Sequence, residues 1–173
     1  RARSLPEDSD NAAQYYKLAV NLDPTQQQAL LGVARTSLES SQPSDLVLVS
    51  ASDTFSQALK ISSGDPSVWY DYARSLAVQS ASDPATIKDA LQQALDRDPT
   101  YADLAFGVDW TTYFARLDAT IGPLLRGTQH DNLGRQYRNQ GEIDLAAAEF
   151  ISATIEDPAP RRYWRDLADI QFQ

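Results

Sequence analysis

Arginine recurs at one position of a helical pattern. Arg35 follows Ala34, Arg74 follows Ala73 and Arg135 follows Gly134, so three stretches place a guanidinium directly after a small residue. One turn beyond the third lie Arg138 and Asn139, and Arg162 and Arg165 are similarly placed near the C-terminal end. A guanidinium grips a carboxylate through two parallel N–H donors. In a chain of formal net charge −9, several arginines on one surface would reverse the sign locally and favour an acidic or carboxylate-bearing ligand. The competing reading pairs the same arginines with aspartates of adjacent helices, an arrangement worth little at exposed positions.

Other chemistry is sparse. His130 is the only histidine. It falls where a large apolar residue packs in this pattern, so a partly buried packing or capping role is expected. A ligand or base would need reactive neighbours that the sequence does not show. There is no glycine-rich phosphate loop, no His-Glu-x-x-His, no G-x-S-x-G and no EF-hand spacing. A paired-carboxylate hydrolase is the only enzyme class that the scattered aspartates allow, and nothing in their spacing selects it. Most of them punctuate: Asp23-Pro24, Asp65-Pro66, Asp98-Pro99 and Asp157-Pro158 fall at helix ends, where Asp or the residue after it can cap the next helix. We expect no catalytic residue, no cofactor and no metal.

The charge argues against nucleic acid, which needs a basic surface to displace counterions, and against anionic membranes. No run of about 18 apolar residues exists, so no membrane span is expected. With no cysteine there is no disulfide or thiolate metal site. With no methionine the chain lacks an initiator, and we expect it to be processed or excised from something longer. An extracytoplasmic space or an organellar lumen is compatible with that.

Apolar spacing of three and four predicts helix throughout. Helices are expected at about 7–20, 26–39 and 44–61. The stripe of the second is Leu30, Val33, Ala34 and Ser37. In the third, Ala51-x3-Phe55-x2-Ala58 repeats the spacing of Ala12, Tyr16 and Ala19. The connections Ser40-Ser41-Gln42-Pro43 and Ser62-Ser63-Gly64-Asp65-Pro66 are turn chemistry. Then come Trp69-x2-Tyr72-Ala73-x2-Leu76 and, after Ser80-Ala81-Ser82, a helix with Asp83 as N-cap, Pro84 as first residue and Ile87, Leu91, Ala94 and Leu95 as its stripe. Residues 100–127 are irregular. Tyr101, Phe106, Trp110, Tyr113, Phe114 and Leu117 form an aromatic stripe, read as core filling the space of a missing helix rather than as an interaction patch. Gly122-Pro123 is expected to stop the helix there. A final helix is expected at 159–171.

Residues 133–158 carry the clearest pattern: Leu133-Gly134-x2-Tyr137, then Ala146-x3-Phe150-x2-Ala153-x4-Pro158. This resembles the tetratricopeptide repeat, a helix-turn-helix unit with a period of about 34 residues. Small residues let two helices approach and large ones fill the gaps between them. Ala12-x3-Tyr16-x2-Ala19-x4-Pro24 is similar to the second helix of the unit, so the first repeat lacks its first helix. Tyr163-Trp164-x2-Leu167-Ala168 is similar to an opening helix with no successor.

The resemblance implies an all-α superhelical solenoid over 1–173, of about three and a half to four repeats. Its best repeat is 127–160, and 100–127 falls about seven residues short of a full unit. It places Arg35, Tyr70, Arg74, Arg135, Arg138, Asn139, Arg162 and Arg165 toward a concave groove, with Tyr70 pointing there rather than into the core. It implies a non-enzymatic interaction module holding a protein or peptide. Some family members clamp a peptide's C-terminal carboxylate, and Arg135, Arg138 and Asn139 are loosely similar to that clamp, without its lysines. Two alternatives stay open. One is a segment of a larger envelope or membrane-associated assembly docked through its terminal helices. The other is the non-catalytic part of an enzyme whose active domain lies outside this chain.

Overall fold

The computed structural model describes residues 6–23, 25–39, 45–61, 63–79 and 81–171, without the side chains of 6–10 and 45–49. Arg1 to Leu5, Pro24, the Ser40–Pro43 connection, Ser62 and Ser80 lie outside the described residues. Among those described, every regular element is helical: α1 (Pro6–Leu22), α2 (Gln27–Leu38), α3 (Asp45–Ile61), α4 (Pro66–Ala77), α5 (Pro84–Arg97), α6 (Tyr101–Phe106), α7 (Asp118–Gln140), α8 (Ile143–Glu156) and α9 (Arg161–Gln171). Between α6 and α7 run a π turn (Trp110–Phe114) and a 3-10 turn (Ala115–Leu117). The all-α class expected from the spacing is what forms among the described residues, with successive helices packed as neighbouring pairs. They group into two compact units, Arg1–Ser82 and Asp83–Gln173.

In the first unit α1 to α4 pack in sequence order. The Tyr16 ring of α1 lies against Gly32 of α2, leaving no room for a Cβ there. The core joins Leu31, Ala34 and Leu38 of α2 to Ala51, Phe55 and Ala58 of α3 and Val68 of α4. The stripe of α2 thus differs from the one expected. Leu30, Val33 and Ser37 are half-buried, while Ala29, Leu31, Gly32, Ala34 and Leu38 are buried, because α2 has neighbours on two sides, α1 and α3.

In the second unit the α5 stripe Ile87, Leu91, Ala94 and Leu95 has no solvent exposure. Asp65 and Asp83 cap α4 and α5 as their sequence predicts, each accepting from the backbone N–H two residues on, at 2.9 and 3.3 Å, with proline at the start of the helix. The aspartates of the four Asp-Pro pairs at helix ends share this geometry. Asp23, Asp65, Asp98 and Asp157 accept from Thr25, Ser67, Thr100 and Ala159 at 2.9–3.1 Å. The aromatic stripe is partly core. Tyr113, Phe114 and Leu117 are buried, whereas Phe106 and Trp110 are half-buried and tilt against each other with centroids 4.9 Å apart.

Gly122-Pro123 does not stop a helix. The 23-residue α7 runs through it. Proline deletes one N–H, the donor to the Ala119 carbonyl, at about 3 kcal/mol in a helix interior. Ile121, Leu124 and Leu125 are fully buried beside it, at about 1.5–3 kcal/mol each. Arg126 further ties the start of α7 to Asp118 (3.2 Å) and to Glu156 of α8 (2.8 Å). Burial outweighs the lost bond. The α7–α8 hairpin turns at Gly141, whose φ of +81° is left-handed, with its N–H and that of Glu142 bonding the Arg138 and Tyr137 carbonyls at 3.0 Å.

Candidate functional site

Asp71 is the meeting point of the first unit's arginines. Arg35 on α2 reaches across to it on α4, its Nε donating to Oδ2 at 2.6 Å while Nη2 donates to Ser67 Oγ at 2.9 Å. Arg74 takes the other oxygen at 3.2 Å. The second unit repeats the device. Arg135 on α7 donates to Asp166 on α9, with Nη2 at 2.6 Å and Nε at 2.8 Å. In each unit an arginine following a small residue pairs with an aspartate two helices further on, from α2 to α4 and from α7 to α9. Arg35 and Arg135 thus each pair with an aspartate of another helix, and Arg74 pairs with one of its own.

Tyr70 departs from expectation. It is buried, 2% exposed, not open on a groove. Val68, Tyr70, Asp71, Ala73, Ser75 and Ala77 are all buried, and they span most of the circumference of α4, so no face is left for it to point outward. Arg138 and Asn139 are set apart from the other second-unit arginines. Arg138 lies over the Phe150 ring, 5.8 Å from its centroid, since three residues after Arg135 a helix has turned its side chain about 60° away. Asn139 is exposed. His130 is half-buried, as expected. Its Nδ1 bonds Glu149 Oε2 of α8 at 2.6 Å.

The remaining arginines converge. A cleft of about 480 Å³ is lined by Gln92, Leu95, Asp96, Arg97 and Pro99 at the end of α5, Arg135 of α7, and Ala159, Arg161, Arg162 and Arg165 at the start of α9. Five guanidinium-bearing residues face one aspartate there. Arg135, Arg162 and Arg165 were expected to share a surface. Arg97 and Arg161 were not singled out. Arg161 is exposed and makes no ion pair among the described residues, and Arg165 is 66% exposed, 3.5 Å from Asp166.

Beneath the cleft lies a buried network. The Arg162 side chain is 8% exposed, bonded through Nη1 to Asp96 (2.5 Å) and through Nη2 to Thr128 Oγ1 (2.6 Å). Its guanidinium lies 5.0 Å from the centroid of the Tyr163 ring, whose hydroxyl bonds the Leu124 carbonyl at 3.1 Å. Asp131 has no exposure, and the cations nearest to it are Arg135 at 3.1 Å and Arg162 at 3.6 Å. Burial pushes its carboxyl up to about 6; Arg135 pulls it down, Asp166 pushes it up and Arg162 pulls it down. Burial likewise raises the Tyr163 phenol. No group of three or more potential metal ligands occurs among the described residues, and no helix among them is long and apolar enough to cross a membrane.

No protein-family model and no curated protein matches the chain. Two solved structures, titled "Crystal structure of MamA" and "Crystal structure of MamA protein", are similar to it at 17% identity and a TM-score of 0.46. Each match covers 96% of this chain, and they cover 78% and 73% of the respective structures.

Proposed function

We propose that the chain is a non-enzymatic interaction module whose second unit holds an acidic protein segment in the cleft between α5, α7 and α9. One observation carries this: five arginines line a single cleft on a protein of net charge −9. Arg135 and Arg162 are held by Asp131 and Asp166 beneath the cleft, and Arg162 also by Asp96 in its wall, and fixed guanidinia lose little freedom when they bind. Arg161 and Arg165 stand exposed at the mouth. Arginine rather than lysine suits a flat carboxylate.

The test is fluorescence anisotropy with a labelled, end-blocked hexa-aspartate. Binding that weakens with salt is expected, since the cleft is open to solvent. Arg161→Glu with Arg165→Glu lowers the affinity by roughly tenfold or more per residue and leaves helicity intact. Absence of binding, or affinity indifferent to both reversals, overturns the reading.

A second reading rests on α8. Ile143, Leu145, Ile151 and Ile155 are 37–75% exposed, and Trp164 of α9 is 51% exposed. This apolar surface suits a segment docked within a larger assembly. Ile151→Glu with Ile155→Glu would then abolish association measured by light scattering and leave hexa-aspartate binding unchanged.

A further inference from the structure

We propose that the arginine cleft takes up a proton together with its acidic ligand, and that Asp131 is the group that receives it. The proposal rests on the cleft being an anion site and adds how that site is regulated.

Arg135 and Arg162 each have two sides. Both line the cleft, and both contact Asp131, at 3.1 and 3.6 Å on the buried side. An anion in the cleft and the carboxylate beneath it therefore compete for the same two guanidinia. Asp131 is fully buried, neither of its oxygens has a hydrogen-bond donor of good geometry, and the cations beside it are those two arginines. A proton on Asp131 removes the internal competitor and can be shared with Asp166, which contacts it from α9. Burial already holds the carboxyl near 6. A ligand anion pushes it higher, by repulsion and by drawing the arginines outward.

The charged and titratable groups around Asp131 are few. On its own helix there is Arg135. From α9 come Arg162, Asp166 and the Tyr163 phenol, which burial keeps neutral. From α5 Asp96 acts through Arg162. His130, the adjacent residue, is engaged by Glu149 of α8. The sign follows by linkage: if the ligand raises the carboxyl, binding takes up a proton and affinity rises as pH falls through the window above 6.

The experiment titrates the whole chain with a labelled hexapeptide of cysteic acid, whose sulfonates keep their charge from pH 5.5 to 8. Wild-type affinity should rise about tenfold for each unit by which the ligand lifts the carboxyl. Asp131→Asn should bind tightly at every pH, and His130→Gln should keep the wild-type slope. Calorimetry near pH 7 in two buffers of different ionisation enthalpy should show net proton uptake by the wild type, a readout independent of whether Asp131→Asn folds. Wild-type affinity that is flat with pH, with no proton uptake, overturns the link and leaves the cleft reading standing. No binding at any pH overturns both.

Discussion

Gly134 and Phe150 touch where no methyl group fits. A Cβ at Gly134 would lie 2.7 Å from Phe150 Cε1, and Ala146 on the facing helix is fully buried. Ala146→Leu should therefore overpack this crossing and cost about 1–3 kcal/mol, read as a lower midpoint in urea or heat. At Asp131 the effect depends on pH. Its folded carboxyl sits near 6, above the unfolded range, so between the two values the folded state binds more protons. Stability then falls as pH rises from about 4 to 6, with a slope of at most about 1.4 kcal/mol per pH unit. Denaturant melts across that window should show this slope in the wild type relative to Asp131→Asn; equal slopes would contradict the placement of the carboxyl.

At the scale of elements, two glycines in turns make opposite predictions. Gly141 is left-handed, and Gly141→Ala should cost about 1–2 kcal/mol. Gly64 has open space around its Cβ position and no positive φ, so Gly64→Ala should be neutral or stabilise by about 0.4–1 kcal/mol. Thermal melts of the two variants decide. Helices were legible where apolar period and turn chemistry agreed, as in α5, whose cap, first proline and stripe all form as read. They were illegible where packing overrode a local rule. Nothing local in Gly122-Pro123 announces that Ile121, Leu124 and Leu125 will be buried deeply enough to carry α7 through it. The site divides the same way. The resemblance implied a shared surface for Arg135 and Arg162, but Arg97, the last residue of α5, lies outside that pattern. Only the packing of α5, α7 and α9 brings it in, with the adjacent Arg161-Arg162 doublet as the one local hint. Tyr70 failed for a related reason: an amphipathic reading assigns one outer face, and α4 is buried almost all round.

For the whole molecule, the partition into two units has a direct test. The second has its own core, including Ile87, Leu91, Leu95, Ile121, Leu124, Leu125, Phe150 and Tyr163, none measurably exposed, and it contains the entire cleft. Residues 83–173 expressed alone should melt cooperatively with strong helical circular dichroism and keep the salt-sensitive hexa-aspartate affinity of the full chain. A fragment without a cooperative transition would mean that the second unit depends on the first.

Two of the Arg–Asp pairs between helices point forward along the chain, from α2 to α4 and from α7 to α9. Arg35 and Arg135 give, Asp71 and Asp166 receive. Within α4 and α7 an aspartate and an arginine also pair one turn apart, Asp71 with Arg74 and Asp131 with Arg135. In α9 the receiver Asp166 is present, but the position after the small residue Ala168 holds Asp169. Seen as heredity, a hairpin of this kind copied by duplication would arrive with its own fastener on each side, ready to join the copy before it and the copy after it. A copy of α9 would carry the receiver Asp166 and an aspartate, Asp169, where α2 and α7 hold the giver.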